Sequence, residues 1–278
     1  MTDPKTQETV IEFAGVTLRF GGKVAVRDIS FVLERGETKI ILGAAGSGKS
    51  VLLKLTMGLF QPDAGRITVL GEEMTHRTEE ALLAARQKVG MVFQEGALFD
   101  SFTIGENVGY VFERMATVPP AEAERRVREA LRFVELEHTY DLVPSQLSGG
   151  MRRRVAIARA VVGQPELVLY DSPTAGLDPI TATRIMTLIV KQRDFRHVSA
   201  LLVTHRLQDG FLMARSYYDS ARDRLIPIGD GGAQIETLYG WRFAHTRFLV
   251  LREGETAFHG SLDELAAQRD PYLQKFLA

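Results

Sequence analysis

Apolar and polar residues alternate along two segments near the start of the chain, VIEFAGVTLRF at residues 10–20 and VAVRDISFVLERG at residues 24–36. Alternation with a period of two is typical of strands that bury one face. Gly21 and Gly22 lie between the two segments and favour a tight turn. The pattern therefore predicts an antiparallel pair of strands.

Further along the chain, short apolar runs typical of buried strands alternate with helical patterns. Strands are predicted at residues 38–43, 66–71, 89–94, 166–171 and 199–205, with two more within residues 248–260. Between residues 106 and 164 the pattern is mainly helical, and the flanks of a GDGG turn at residues 229–232 predict a hairpin. Such alternation predicts a mostly parallel sheet flanked by helices and interrupted by a helical insertion.

The composition of the chain excludes several classes of protein. The 278 residues include 34 basic and 35 acidic side chains, a net charge of −1, which argues against a nucleic-acid partner held by a basic face. The chain has no cysteine, which excludes thiolate metal sites and cysteine nucleophiles. Its opening is polar and no apolar run reaches the roughly 18 residues of a membrane span, so we expect a cytoplasmic protein.

Residues 43–50 read GAAGSGKS and match the phosphate-loop pattern G-x-x-x-x-G-K-[ST] between a strand and a helix. Glycines let backbone N–H groups turn toward phosphate oxygens at a helix N-terminus. The lysine brings a positive charge to the terminal phosphates, and the serine hydroxyl can coordinate Mg²⁺. The pattern predicts a nucleoside triphosphate site formed by Gly43, Ala44, Ala45, Gly46, Ser47, Gly48, Lys49 and Ser50.

Asp171 ends the apolar run LVLYD at residues 167–171. An aspartate at the end of a strand is by itself more often a turn former. In a protein with a phosphate loop, however, this is the position that holds Mg²⁺. We therefore predict Asp171 as a metal-site acid.

The segment LSGGM at residues 147–151, between the phosphate loop and DSPTAGLDP at residues 171–179, gives the chain a resemblance to a known family. Over nearly its whole length the chain resembles the nucleotide-binding subunit of an ABC (ATP-binding cassette) transporter. The resemblance implies an α/β fold with a RecA-like core (residues 1–94 and 165–278), an N-terminal antiparallel β subdomain and a helical subdomain (residues 95–164). Residues 215–246 form a longer stretch than the family normally has at this point, and we expect a surface insertion in a single domain spanning residues 1–278.

The resemblance also implies roles for residues outside the phosphate loop. ATP and Mg²⁺ are the implied cofactors. Phe20 matches the aromatic residue that stacks on adenine, and His205 matches the histidine that contacts the γ-phosphate. Gln94 would reach both the metal and the attacking water, so the implied metal ligands are Ser50, Gln94 and Asp171. The turn of Ser148, Gly149 and Gly150 would contact the ATP of another subunit, which implies a head-to-tail homodimer or heterodimer.

Ser172 departs from the family pattern, which has a glutamate after the metal-site aspartate. A serine hydroxyl can orient water but cannot act as a general base near neutral pH. Three interpretations remain open: hydrolysis is severely reduced, His205 and the γ-phosphate suffice, or a nearby acid such as Glu95 or Asp178 compensates. The predicted catalytic residues are His205, Gln94 and Ser172.

Finer similarity points to one branch of the family. Residues 94–110, 147–160 and 176–181, the C-terminal segment and Met151 resemble the Mla/Mce-associated group, which moves phospholipids between bacterial membranes. This resemblance implies permease subunits in the membrane, an MCE-type lipid-binding partner, and a position at the inner face of the cell membrane. The alternatives are a cassette for another substrate, an ATP-gated switch without turnover, and a non-transport ABC protein.

Two surface features complete the sequence-based predictions. The loop after Gln94, with Leu98, Phe99 and Phe102, is expected to form a groove for a permease helix, the alternative being ordinary packing between the lobes. Three consecutive arginines at residues 152–154 follow the LSGGM segment, and we expect them on the solvated face of its helix.

Overall fold

The fold is taken from a computed structural model that describes residues 8–113, 118–228 and 246–276. The predicted GDGG turn at residues 229–232 and the flank at residues 233–238 lie outside these ranges. The strands are β1 (Thr9–Phe20), β2 (Lys23–Glu34), β3 (Thr38–Gly43), β4 (Ala64–Val69), β5 (Glu72–Glu73), β6 (Val89–Val92), β7 (Leu167–Asp171), β8 (Ser199–Val203), β9 (Ser216–Asp219), β10 (Arg224–Pro227), β11 (Thr246–Arg252) and β12 (Glu255–Gly260). The helices are α1 (Lys49–Thr56), α2 (Glu79–Arg86), α3 (Ile104–Glu113), α4 (Pro120–Phe133), α5 (Gly149–Val161), α6 (Pro179–Arg196), α7 (Leu207–Arg215), α8 (Leu262–Ala266) and α9 (Pro271–Gln274).

The core of the fold is a six-stranded sheet in the order β12-β11-β3-β8-β7-β6. Each neighbouring pair from β11 to β6 is parallel, and only β12 runs antiparallel to its neighbour β11. The predicted mostly parallel sheet is therefore confirmed. Because the carboxyl ends of parallel strands meet at one edge, the residues after β3, β6, β7 and β8 are brought together there.

A second sheet, in the order β2-β1-β4-β5, is antiparallel. It contains the predicted pair β1 and β2, which are joined at the turn of Gly21 and Gly22. This sheet and the parallel core agree with the expected fold class, an α/β core with an antiparallel β subdomain.

Strand β3 is buried on both of its faces. Ile40 and Leu42 pack into a cluster that contains side chains of α3 to α6, whereas Ile41 packs into a cluster with α1 and the antiparallel sheet. All three side chains are fully buried, and each contributes about 1.5–3 kcal/mol to folding by leaving water. This burial fixes the end of β3 between helices α3 to α6 on one face and α1 with the antiparallel sheet on the other.

Helices α3, α4 and α5 occupy the stretch between β6 and β7, where the sequence predicts helices. Helix α4 begins as expected, because Pro119 is its N-cap and Pro120 its first residue, where the fixed φ of proline suits a helix. Helix α8 has the predicted capping box, formed by Ser261 and Glu264. Among the described residues no helix is both long and apolar enough to cross a membrane.

Strands β9 and β10 form a separate antiparallel hairpin at the start of the stretch 215–246. The hairpin is attached to α6, because Arg193 donates a hydrogen bond to the carbonyl of Ser216 over 2.8 Å. In addition, the carboxylate of Asp194 accepts one from the backbone N–H of Tyr218, also over 2.8 Å. These contacts place the described part of the stretch against the core.

Candidate functional site

The loop at residues 43–50 connects β3 to α1, and the space around two of its glycines, Gly43 and Gly48, leaves no room for a side chain. Gly48 has φ 99° and caps α1, and a Cβ atom there would lie 2.7 Å from the carbonyl oxygen of Ala25. At Gly43 a Cβ atom would lie 2.4 Å from the hydroxyl of Ser47. Larger residues would therefore force the loop away from its neighbours. The loop keeps the tight path that exposes its N–H groups at the start of α1.

The Lys49 side chain folds back across this loop. Its ammonium donates hydrogen bonds to the carbonyl oxygens of Gly43 and Ala44, both over 2.8 Å. Burial lowers the pKa of Lys49, and the negative charge of Asp171 opposes that effect. A positive charge is thus held at the centre of the loop, where it can meet phosphate.

Asp171, at the end of β7, lies beside the loop although the two are far apart in sequence. One oxygen of its carboxylate, Oδ1, accepts a hydrogen bond from the Ser50 hydroxyl over 3.1 Å and from the Ser172 hydroxyl over 3.3 Å. Carboxylate and hydroxyl oxygens are hard ligands that suit Mg²⁺. The structure therefore joins two of the three predicted metal ligands.

Two observations fit a nucleotide at this position. The Ser47 hydroxyl is buried and has no hydrogen-bond partner among the described residues, although buried polar atoms nearly always have one. A cavity of about 340 Å³ adjoins the loop and is lined on one side by Phe20, Val24 and Ala25. Phosphate oxygens would supply acceptors for the loop, and the cavity would hold an attached base.

Phe20 is suited to contact that base. Its side chain is 47% exposed at the end of β1, and its ring meets the ring of Phe60 edge-on, with centroids 5.1 Å apart. The contact fixes the ring at the cavity wall. A half-exposed aromatic ring beside a phosphate loop can stack on a purine.

Gln94 and His205 follow β6 and β8, the two strands that flank β7. Both side chains are exposed, and within the described residues neither makes a hydrogen bond to Asp171 or to the phosphate loop. The structure therefore places them at the same edge of the sheet as Asp171, without a hydrogen bond to it among the described residues.

Ser172 is buried, and its backbone is in the left-handed region at φ 47°. Its N–H donates to the carbonyl of Val203 over 2.8 Å. Its own carbonyl accepts a hydrogen bond from Arg153 of α5 over 3.3 Å, and a second one joins Arg153 to the carbonyl of Ala175. The Ser172 hydroxyl thus supports Asp171, and its backbone is fixed from two sides.

The prediction that the three arginines of α5 lie on its solvated face is wrong for two of them. Arg153 is 8% exposed, because this side of α5 packs against residues 172–175. Arg154 is largely covered and donates to the carbonyl of Val134 over 3.0 Å. Only Arg152 is exposed, as expected.

The turn of Ser148, Gly149 and Gly150 lies elsewhere in the chain. Ser148 caps α5, and its hydroxyl accepts a hydrogen bond from the N–H of Met151 over 3.2 Å. The turn borders a cavity of about 380 Å³ that shares no lining residue with the cavity beside the phosphate loop. The turn at Ser148 therefore does not line the cavity beside the phosphate loop of the same chain.

The two acids suggested as substitutes for a glutamate at position 172 have other surroundings. Asp178 caps α6 by accepting from the N–H groups of Ile180 and Thr181. Hydrogen bonding, chiefly from Thr181, lowers the pKa of Asp178, which weakens it as a base. Glu95 is exposed and makes no hydrogen bond within the described part of the chain, and its charge acts on Arg153.

The sequence did not identify a buried network behind the site. The carboxylate of Asp209 accepts from the Thr174 hydroxyl over 2.6 Å and from the Thr204 hydroxyl over 2.8 Å. The network ties the loop after Ser172 to the residue before His205. No local pattern marks Asp209 or Arg153, because both act on residues far away in sequence.

The comparisons with known proteins agree with this geometry. A family model described as ABC transporter matches residues 26–175. The iron import protein "Fe(3+) ions import ATP-binding protein FbpC" of Escherichia coli K12 is 35% identical over 224 residues, 81% of this chain and 63% of that protein. "Methionine import ATP-binding protein MetN 2" of Bacillus cereus is 41% identical over 183 residues, 66% of this chain and 54% of that protein. The chain thus spans less than two thirds of the length of either relative.

Solved structures show the same fold. The dimeric post-hydrolysis state of the ATP-binding cassette MJ0796, bound to ADP and Pi, superposes with a TM-score of 0.72 at 28% identity, covering 91% of this chain and 99% of that one. The cbiO1 protein of Clostridium perfringens, part of the ABC transporter complex cbiONQ, gives 0.73 at 26% identity, covering 95% and 93%.

The fold, the phosphate loop and the acid beside it define a nucleotide-binding cassette. The chain belongs to the ABC transporter family. Proteins of this family bind ATP with Mg²⁺. The finer resemblance to the lipid-transport branch gains no support from the two relatives described above, which are named for iron and methionine.

Proposed function

We propose that the chain is the ATP-binding subunit of an ABC transporter, in which ATP closes a dimer of cassettes and so moves the attached membrane subunits. The observation that carries this proposal is the hydrogen bond between Ser50 and Asp171, two residues 121 positions apart. It unites a phosphate-binding loop with a metal-site acid, the combination that triphosphate chemistry needs.

Each part of the site has a distinct task in this proposal. The loop of residues 43–50 holds the phosphates through its N–H groups and Lys49, and Phe20 contacts adenine. Ser50, Asp171 and Gln94 hold Mg²⁺, which neutralises phosphate charge when bound. His205, at the same edge of the sheet, contacts the γ-phosphate.

The complete site is shared between two cassettes. The separate cavities of the phosphate loop and of the turn at Ser148 support this arrangement, as does the dimeric form of the similar MJ0796 cassette. In the dimer, Ser148, Gly149 and Gly150 of one cassette approach the nucleotide held by the other. The partner is a second copy of this chain or a different cassette.

Hydrolysis is slow in this proposal, because Ser172 cannot act as a general base. Two contacts support this assignment: the Ser172 hydroxyl donates to Asp171, and Asp178 is occupied at the start of α6. Gln94 and His205, at the same edge of the sheet, then assist the reaction. Without measurable turnover, the chain would be an ATP-gated switch.

The surface that contacts the membrane subunits lies beside α3. Phe99 is 40% exposed and packs against Phe102 and Tyr110. A cavity of about 300 Å³ is lined by Phe99, Tyr110, Phe93 and Arg159. A groove with an aromatic wall suits a helix of a permease. The chain would thereby be held at the cytoplasmic face of the membrane.

The transported substrate rests on sequence similarity alone. The segments that resemble the Mla/Mce group favour phospholipid, with an MCE-type lipid-binding protein as a further partner. The names of the iron and methionine relatives favour a second candidate, import of a small polar solute. The cassette itself has no described feature that distinguishes the two.

Purification of the chain with its membrane subunits tests the proposal. We expect ATP turnover in the complex that Lys49→Ala abolishes, and loss of permease association in Phe99→Ala but not in a matched Phe195→Ala variant at another exposed phenylalanine. Reconstitution with labelled phospholipid, iron(III) and methionine would separate the substrates. Binding to ribosomes or DNA instead of a membrane protein would contradict the proposal.

A further inference from the structure

Arg153 connects the helix behind the Ser148 turn to the backbone beside the metal-site acid. Its guanidinium donates from Nη1 to the carbonyl of Ser172 and from Nη2 to the carbonyl of Ala175, both over 3.3 Å. The residue is 8% exposed, so both hydrogen bonds are largely shielded from water. A planar guanidinium can serve two acceptors at once in a fixed geometry.

The segment that Arg153 holds has a strained start. Ser172 is in the left-handed region at φ 47°, which a residue with a side chain adopts only at an energetic cost. Its hydroxyl donates to Asp171 from that conformation. A rotation of the Ser172 peptide would therefore move the hydroxyl away from the carboxylate and release the adjacent Asp171.

We propose that Arg153 is a positioning residue for the metal site: by fixing the carbonyl groups of Ser172 and Ala175, it holds Asp171 in the orientation that receives Mg²⁺ with the nucleotide. It does not itself contact the nucleotide. Because Ser148 caps α5, the helix that contains Arg153, a displacement of the turn is transmitted to the metal site of the same chain. This inference rests on the proposed ATP-binding function.

The test measures Mg²⁺ dependence separately from nucleotide binding. Binding of the fluorescent analogue mant-ATP is titrated first in EDTA and then at fixed nucleotide with increasing Mg²⁺, for wild type, Arg153→Met and Arg153→Lys. Arg154→Met is the matched control, because Arg154 also lies on α5, is largely covered, and donates to a distant carbonyl, that of Val134. Thermal melts report on folding.

We expect Arg153→Met to bind mant-ATP in EDTA within about twofold of wild type while its apparent Mg²⁺ affinity falls about tenfold. The apparent Mg²⁺ affinity of Arg153→Lys, which has one ammonium in place of the planar guanidinium, is expected to lie between those of wild type and Arg153→Met. Arg154→Met is expected to match wild type. A purely structural role would lower the melting temperature of both methionine variants and leave the Mg²⁺ affinity unchanged.

The outcomes that overturn the inference are distinct from those that overturn the proposed function. Unchanged Mg²⁺ affinity in folded Arg153→Met would overturn the positioning role alone. If Arg153→Met does not fold, wild-type Mg²⁺ affinity in Arg153→Lys would overturn it as well. If wild type binds no mant-ATP, or binds it without any response to Mg²⁺, both the proposed function and this inference fail.

Discussion

The Ser50 hydroxyl lies 3.1 Å from the carboxylate of Asp171 and donates a hydrogen bond to it. One residue belongs to α1 and the other ends β7, and they meet because β3, β8 and β7 run parallel and end at the same edge. The contact aligns a phosphate-binding loop with the proposed metal ligand.

Ser172→Glu is expected to raise ATP turnover. The side chain at this position adjoins Asp171, and a carboxylate there can act as a general base, which contributes about 10²–10⁴-fold. Ser172→Ala, which removes the hydroxyl without adding a base, is the control and should not exceed wild type. Phosphate release by purified protein measures the effect. Equal turnover in Ser172→Glu and wild type, with ATP bound in both, would show that another group already supplies the base.

Phe20→Ala should weaken ATP binding without affecting inorganic tripolyphosphate. Stacking on an aromatic ring is worth about 0.5–1.5 kcal/mol, or about a twofold to tenfold change in the dissociation constant for ATP. Phe99→Ala removes a phenylalanine of similar exposure and should change neither constant. Calorimetric titration with both ligands provides the comparison. An equal loss for ATP and tripolyphosphate would refute the contact with adenine.

Mg·ATP is expected to convert the chain from monomer to dimer, and Ser148→Arg should prevent this while leaving ATP binding intact. The new side chain would crowd the turn that approaches the nucleotide of the partner. Ser261→Arg is the control, since Ser261 also caps a helix and the loss of either cap costs about 1 kcal/mol. Sedimentation velocity measures the mass. A wild-type chain that binds Mg·ATP but stays monomeric would exclude the homodimer and favour a heterodimer.

The free energy of unfolding should fall as the pH drops from about 7.5 through the ordinary histidine pKa near 6.5, because of His259. Partial burial lowers its pKa, as do the charges of Lys39, 3.1 Å away, and Arg247, whereas Glu37 and Glu264 act in the opposite direction. The histidine of the unfolded chain, with a pKa near 6.5, then binds protons that the folded chain does not accept. This contribution to stability is complete above the unfolded pKa and is lost as the pH falls through the lower, folded pKa.

Urea denaturation at a series of pH values measures this contribution of His259. In His259→Gln the unfolding free energy should depend less on pH over the same interval. His138→Gln is a suitable control, since it removes a histidine from a different element, the short turn of residues 137–139. The same slope in His259→Gln and wild type would refute the role of this histidine.

The sequence predicted those parts of the site that depend on local pattern. The loop at residues 43–50 was identifiable because its glycines, lysine and serine stand together, and the apolar runs marked β3, β7 and β8 without ambiguity. Asp171 could be assigned only in combination with that loop, because strand-end aspartates are common. The structure adds the hydrogen bond between Ser50 and Asp171, which brings the loop and the acid together.

The sequence did not predict Arg153, Asp209 or the conformation of Ser172, for a common reason. The carbonyl partners of Arg153 lie 19 and 22 residues away, and Asp209 joins Thr174, 35 residues away, to Thr204. A run of three arginines resembles a solvated helix face, and only packing determines which of them is buried. Contacts of this kind depend on the tertiary arrangement and leave no local signal.

Equilibrium binding of ATP by Lys49→Ala tests the central claim most directly. The Lys49 ammonium donates hydrogen bonds to two carbonyl groups of the loop, which places its charge where phosphate would bind. A hydrogen bond to a charged group is worth about 1.5–3 kcal/mol. We predict that Lys49→Ala binds Mg·ATP at least about tenfold more weakly than wild type, whereas Lys88→Ala, at an exposed lysine before β6, binds it normally. Equal affinity in Lys49→Ala and wild type would contradict a triphosphate site at residues 43–50.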